Sequence, residues 1–398
     1  MLKIISFAIL FAGFGCAPPE DEEDSGNPEA PLKGRLEPRF EINGNDFYRL
    51  PWPSDTRITE EGLLMLSDFP QSDDPLIEIY LSVLVAKVSA FSIVPVIYVA
   101  FDHLPEVSSI PLPTDTLTKE SPIQLVNVST NGCGERIPIE IELETKGDDF
   151  ISSNVVKAVP VPGFHLEPGT PYSLIVLTSL GEDEGLETSR PDGFEGILEG
   201  TYSNADVVEV YAPLVDCLQQ EGIDSDTVAV ATVFTTQDPT ADLITIRDYV
   251  VDQNTTAAPV VADWAVLDSS TVEDSYISYR GTFETPIFQS GTSPYNEGGG
   301  FQFTAQGIPV VQRWETVPFI VTFPDTDEDG PLPVMIWEDG TGATLEHHVT
   351  SDITEAMLDN GFAVFSFEPQ FHGDRAVPAS SPQSHTFNDM NPEAGRSV

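Results

Sequence analysis

The residues able to do chemistry gather near the C-terminal end of the chain, in two polar turns between positions 332 and 375. The first turn, Glu338-Asp339-Gly340-Thr341-Gly342-Ala343, is short and glycine-rich. Backbone N–H groups in such a turn can stabilise negative charge developing on a carbonyl oxygen. The second, Glu368-Pro369-Gln370-Phe371-His372-Gly373-Asp374-Arg375, sets an imidazole, a carboxylate and a guanidinium side by side. Other clusters carry weaker signals. Asp325, Asp327 and Asp329 place oxygens at alternate positions ahead of Gly330, as a calcium loop begins, but Ile336 stands where the closing bidentate Glu belongs. A plain acidic hairpin is the reading adopted, with a low-affinity calcium site as the lesser alternative. His347 and His348 are adjacent, so they point in different directions from a helix and make a poor metal pair, even with His372 and His385. No metal and no other cofactor is expected. Gly291-Thr292-Ser293-Pro294-Tyr295 opens like a nucleophile elbow but lacks the second Gly and does not sit between a strand and a helix.

The elements that must position the two turns follow from periodicity. The apolar run Pro333-Val334-Met335-Ile336-Trp337 leads into the first turn, and Phe362-Ala363-Val364-Phe365-Ser366-Phe367 leads into the second. Between them Leu345, Val349, Ile353, Ala356 and Met357 recur at spacings of three and four, which predicts a helix. Asp352 with Glu355 is a candidate capping box for its second half, and Asn360-Gly361 ends it. This is a strand–helix–strand unit, expected to be right-handed with parallel strands. Runs apolar on both faces imply a sheet covered on both sides. Sites in such sheets lie beyond the C-terminal strand ends, where both turns fall. Upstream, 276–288, 300–306 and 316–323 read as antiparallel strands opening the same sheet, with a helical connector at 240–253.

Residues 35 to about 250 read as mostly β. Runs at 92–101, 138–143, 155–161, 171–178 and 228–235 are separated by Pro, Gly and Asp clusters, which predicts an antiparallel sandwich of immunoglobulin-like form. Helices are expected at 76–88 and 205–220. In Leu166-Glu167-Pro168-Gly169-Thr170-Pro171-Tyr172 the Pro-Gly pair makes a turn, after which Tyr172 can bury its ring and return its hydroxyl to nearby backbone. Trp52 lies between Pro51 and Pro53 on an extended segment read as a packed cap on the sandwich, with a ligand contact as the alternative.

Composition bounds the partners. The chain has 398 residues and a net charge of −48, which excludes nucleic acid and anionic lipid as docking partners because both need Lys and Arg. At the N-terminus Lys3 precedes an apolar stretch, Ile4 to Phe14, too short to span a bilayer. Gly15-Cys16 then resembles the cleavage and lipidation point of bacterial lipoprotein signals, although Gly13 stands where such signals usually carry Leu. Acylation of Cys16 would anchor an exported chain to outer-membrane or cell-surface lipid; an ordinary cleaved signal is the alternative. Export places Cys133 and Cys217 in an oxidising compartment, so a disulfide between them is expected, against two buried thiols. The expected plan is a signal peptide at 1–15, an acidic tether at 16–34, a β-sandwich domain at 35–255, a linker at 256–271 and a further domain at 272–398.

In the order of its motifs the chain resembles secreted bacterial lipase/esterase-like lipoproteins of the α/β-hydrolase superfamily, which carry an N-terminal β-sandwich. The resemblance rests on Leu50-Pro51-Trp52-Pro53-Ser54-Asp55, Phe234-Thr235-Thr236-Gln237-Asp238, Phe288-Gln289-Ser290-Gly291 with Pro294-Tyr295, Asp339-Gly340-Thr341-Gly342, His372-Gly373-Asp374-Arg375 and Phe387-Asn388-Asp389-Met390-Asn391-Pro392. It implies a carboxylic-ester hydrolase, with ester or lipid as substrate in the full-length protein. It makes Gly340, Thr341, Gly342 and Ala343 the oxyanion loop after the third strand of that sheet, and His372 to Arg375 the turn after the fourth. Asp339 stands where the family carries His. The Gly-x-Ser-x-Gly elbow, the acid and the catalytic His do not occur in the chain, so the expectation is the N-terminal half of a hydrolase, inactive by itself. The alternative is a non-catalytic cell-surface protein whose sandwich binds a partner.

Overall fold

Proline, glycine and aspartate cut the first two hundred residues into short strands, and the longer apolar runs lie further on. The computed structural model describes residues 34–42, 44–267, 276–293, 295, 298–324, 330–338, 340 and 343–376. Cys16, Asp325, Asp327, Asp329, Asp339, Thr341, Gly342 and His385 lie outside the described residues, as do the signal and most of the tether. The chain is mostly β-sheet and divides into two units, Met1–Pro239 and Thr240–Val398.

In the first unit the elements run β1 (Arg35–Leu36), α1 (Pro75–Lys87), β2 (Ile97–Ala100), β3 (Ile123–Asn127), β4 (Arg136–Ile137), β5 (Ile139–Glu144), β6 (Val155–Pro160), β7 (Pro171–Leu177), β8 (Glu187–Thr188), α2 (Asp192–Leu198), α3 (Ala205–Glu221) and β9 (Val228–Thr235). Two antiparallel sheets result, ordered β2-β6-β5 and β4-β3-β7-β9, and β1 pairs with β8. Strand β5 alternates Ile and Leu with Glu, as one covered face requires. From Tyr172 on β7, and from Val228 to Phe234 on β9, every residue is buried, so those strands read as unbroken apolar runs. Tyr172 is buried and its hydroxyl accepts the Glu167 N–H at 3.1 Å, the corner its sequence suggests. Trp52 packs edge-on against Phe91, with ring centroids 5.2 Å apart. Asp55 accepts from Thr235 N–H at 2.9 Å and from the Thr235 hydroxyl at 2.7 Å, which fastens the Pro-Trp-Pro segment to β9. Arg57 is 7% exposed; its guanidinium grips Asp68 at 2.8 and 2.9 Å, donates to the Phe47 carbonyl at 3.0 Å and lies 4.7 Å from the centre of the Phe47 ring.

Cys133, just after β3, is joined to Cys217 on α3, 84 residues further along. Closing a loop of that length contributes on the order of 4 kcal/mol in the chain-entropy model. Replacing both cysteines with serine should therefore lower the urea midpoint of the first unit by that equivalent. A loss below about 1 kcal/mol would mean that the open chain already holds these segments together.

The second unit runs α4 (Ala241–Thr256), β10 (Val261–Val266), β11 (Tyr276–Ile287), β12 (Arg313–Pro324), β13 (Val334–Trp337), α5 (Asp352–Asp359) and β14 (Ala363–Phe367). Its sheet is ordered β10-β11-β12-β14-β13; every neighbouring pair is antiparallel except β13 with β14, which are parallel and joined through α5.

Three local expectations change. Residues 256–271, read as a linker, contain β10, whose side chains are all exposed and so lack a burial pattern. No strand forms over 300–306; isolated bridges pair Gln289 with Phe301 and Phe303 with Pro309. The helix read from 345 to 357 forms as a 3-10 turn, His347–Thr350, followed by α5, because Ser351 intervenes in extended conformation. Ser351, and not Asp352, is the N-cap: its hydroxyl accepts the Ile353 N–H at 3.3 Å.

One face of this sheet meets the helical segment. Tyr276 donates its hydroxyl to Asp359 at 2.6 Å, and Trp337 packs against His347 and His348. Register places Ile277, Tyr279, Phe283, Val317, Phe319, Val321, Phe365, Phe367, Val334 and Ile336 on the other face, which is apolar up to Arg313 and Glu315 at the start of β12. Val317, Phe319 and Val321 on this face are buried, while Ile277, Val334 and Ile336 are 50%, 55% and 67% exposed, so among the described residues the cover expected on both faces is met only in part. Gly281 on β11 makes room for the Phe319 ring, since a Cβ there would come within 2.7 Å of Cζ.

Candidate functional site

Strands β11, β13 and β14 run in one direction and β12 in the other, so the ends of the first three and the start of β12 share one edge of the sheet. The polar groups collect there. Arg313 and Glu315 are two apart on β12 and therefore share a face. Arg313 Nε donates to Glu315 Oε1 at 2.8 Å, Nη1 donates to the Gln289 carbonyl at 3.2 Å, and Nη2 donates to the Tyr295 hydroxyl. From the turn after β14, Arg375 Nη2 donates to the other Glu315 oxygen at 2.9 Å, while Nη1 donates to the Glu368 carbonyl at 2.7 Å. One carboxylate thus braces two guanidinium groups from separate segments. The Gln370 amide donates to Gln289 Oε1 at 2.8 Å, tying the same turn to the loop after β11.

Two aromatic residues at this edge hold left-handed backbone. Tyr295 has φ 58° and Phe371 has φ 65°; both are almost fully buried, and their rings meet edge to face at 6.2 Å. Such conformations cost about 1–2 kcal/mol each for a residue with a Cβ, and here packing offsets that cost. His372 is buried, and its Nδ1 lies 2.8 Å from the Gln370 carbonyl. A carbonyl only accepts, so Nδ1 carries a proton toward it. Glu368 is buried as well, and its Oε2 accepts the Asp374 N–H at 3.1 Å.

The charges at this edge are tuned in opposite directions. Burial pushes the Glu315 carboxyl up, but hydrogen bonds and charge from Arg375 and Arg313 outweigh it and hold the group below the usual carboxylate range. Burial raises Glu368, only partly opposed by its backbone hydrogen bonds and Arg375. Glu315 therefore contributes stability that is present at neutral pH and lost as pH falls through its lowered folded value. Replacing Glu315 with alanine leaves both guanidiniums short of a partner. Because Glu315 is 28% exposed, the expected loss is about 1–3 kcal/mol, below the figure for a fully buried pair. The difference from wild type should vanish in strong acid, as read by urea unfolding at a series of pH values. A difference that persists there would assign the effect to packing.

Of the residues expected from sequence, the structure brings His372, Gly373, Asp374 and Arg375 into this braced edge. Gly340 and Ala343 follow the neighbouring strand β13, where Ala343 N–H donates to the Gly340 carbonyl at 3.1 Å, and neither joins the bonded network among the described residues. A cavity of about 340 Å³ lies beside Ala343, lined also by Leu267, His347 and Val349. A larger recess of about 750 Å³ belongs to the first unit; carboxylates such as Asp115 and Asp183 line it, and no histidine does. Among the described residues no three His, Cys, Asp or Glu side chains converge as metal ligands, and no helix is long and apolar enough to cross a membrane. Sequence reasoning missed Arg313 and Glu315, and it named Glu368 within the second turn without giving it a role. The available signals were a charged pair at strand spacing and an acid ending a largely apolar run. Comparison with protein-family models, with curated proteins and with solved structures found no match.

Proposed function

We propose that the chain is the N-terminal part of an exported, lipid-anchored carboxylic-ester hydrolase of the lipase/esterase type. In this reading an immunoglobulin-like sandwich precedes the opening strands of an α/β-hydrolase sheet. The observation that carries it is the order of the second sheet. An antiparallel pair, β11 and β12, leads into a parallel pair joined through a helix, and the later strand of that pair, β14, lies between β12 and β13. Sheets of that superfamily open in this order. The apolar face opposite α5 agrees with a sheet whose further layers come from elsewhere.

The chain's own contribution would be positional. Backbone N–H groups of the turn 340–343 would face the carbonyl oxygen of an ester as it becomes an oxyanion. A carboxylate at Asp339 repels that charge unless it points away. The braced turn at His372 to Arg375 would fix the neighbouring wall. Nucleophile, acid and catalytic base are not supplied by these residues. The anchor would be an acyl group on Cys16, and the substrate an ester or lipid at the surface it holds the protein to.

The deciding experiment expresses the reading frame together with the codons that follow Val398. The expected result is a Gly-x-Ser-x-Gly elbow within about 60 codons, and hydrolysis of p-nitrophenyl esters that is lost when its serine becomes alanine. Unrelated sequence after a stop would overturn the hydrolase reading in favour of a surface-binding sandwich. Separately, Cys16→Ala should move the protein from the membrane fraction to the soluble exported fraction; an unchanged distribution would remove the anchor.

A further inference from the structure

The turn after β14 closes over a carboxyl group that has little to keep it charged. Glu368 is 5% exposed. Its Oε2 accepts the Asp374 backbone N–H at 3.1 Å, and the Arg375 backbone N–H also acts on the carboxyl. Its Oε1 lies against Gly373, where a Cβ would come within 1.6 Å of it. The cation acting on it, Arg375, is already committed, with Nη1 on the Glu368 carbonyl and Nη2 on Glu315. Arg313 directs its charge to Glu315 as well. The Asp374 carboxylate repels a charge on Glu368, and His372 turns its Nδ1–H to the Gln370 carbonyl.

We propose that this turn is an acid-set latch: it closes and holds His372 and Arg375 in place while Glu368 carries a proton, and it loosens when Glu368 ionises. An ionised carboxylate held only by the Asp374 and Arg375 backbone N–H groups, and sharing its one nearby cation with Glu315, is short of the solvation that water gives, and the covering turn must move to admit water. Burial, with Asp374 adding to it, places the group above the ordinary carboxylate range. The closed turn therefore keeps its proton at a pH where the open chain has lost it. By linkage the closed form is favoured at low pH, and that advantage is lost as pH rises through the raised value. Glu315 has the opposite sign and a lowered value, so the two transitions occur in different ranges. The latch does not depend on the hydrolase reading; it would give an exported protein a response to external acid whatever the edge does.

Hydrogen exchange of the full chain tests it, read by mass spectrometry on peptides covering 368–376 from about pH 4 to 8 and corrected for intrinsic exchange. Protection of this segment is expected to fall several-fold as pH rises, while peptides from β12 stay unchanged. Glu368→Gln should keep the turn closed at every pH. Asp374→Asn, which retains Glu368 and removes the like charge, should move the transition to lower pH and serves if the first variant does not fold. Wild-type protection independent of pH would overturn the latch. So would an unaltered fall in the Glu368→Gln protein, which would assign the transition to His372, or an unmoved transition in the Asp374→Asn protein.

Discussion

Replacing Asp68 with alanine is expected to remove about 3–5 kcal/mol from the stability of the first unit, the largest effect of any single polar substitution proposed for it. Arg57 is 7% exposed and has three claims on its guanidinium: two oxygens of Asp68, the Phe47 carbonyl and the face of the Phe47 ring. Truncating Asp68 leaves a buried cation with one neutral acceptor and one ring. The carbonyl bond and the cation–π contact together are worth about 2–3 kcal/mol at best, less than the desolvation of a guanidinium. The ion pair itself is not a large net gain, so replacing both partners with apolar residues of similar volume should cost much less than the single change. Urea unfolding followed by Trp52 emission reads both variants, since Trp52 packs on the same Phe47 ring at 5.1 Å. A loss below about 1 kcal/mol for Asp68→Ala would show that water reaches Arg57.

Gly373→Ala is expected to cost about 2–4 kcal/mol in the second unit, through two separate terms. The residue has φ +48°, which a side chain adopts at about 1–2 kcal/mol. The new Cβ would also come within 1.6 Å of a buried Glu368 oxygen, so the carboxyl or the turn must be displaced. Gly361 provides the control. It has φ +80°, and a Cβ added there would meet nothing within 4 Å, so Gly361→Ala isolates the backbone term at about 1 kcal/mol. Thermal unfolding of the two variants should separate by the steric term. Equal losses would mean that Glu368 swings aside freely.

How much of this was legible in the sequence depends on whether burial was local. Strands β5, β6, β7 and β9 were readable because each carries its own alternation or apolar run, bounded by turn residues. Helices α1 and α3 form close to where the sequence suggests them; the structure adds Asp74 and Asn204 as their caps, and α3 ends on left-handed Gly222. Strand β10 was hidden because it is a strand by pairing alone: its outward side chains give no period. The helix before β14 was over-read, since apolar spacing continues across Ser351 while the backbone does not. The candidate site was half legible. His372 to Arg375 form one linear motif, but Glu315, the partner of Arg375, and Arg313 beside it are brought near only by the antiparallel return of β12, and Gln289 reaches the turn through Gln370. No window of sequence contains that arrangement.

The join between Cys133 and Cys217 also bears on how such a chain matures. A chain threaded N-terminus first across a membrane would present Cys133 well before Cys217, which lies 84 positions further along. Strand β9, the neighbour that completes the sheet of β3 and β7, follows Cys217. The first thiol would therefore wait while a further 84 residues emerge. The one other cysteine in the chain with which it can err is Cys16. Acylation of Cys16 would consume that competitor at the start, leaving Cys217 as the partner for Cys133 among these residues.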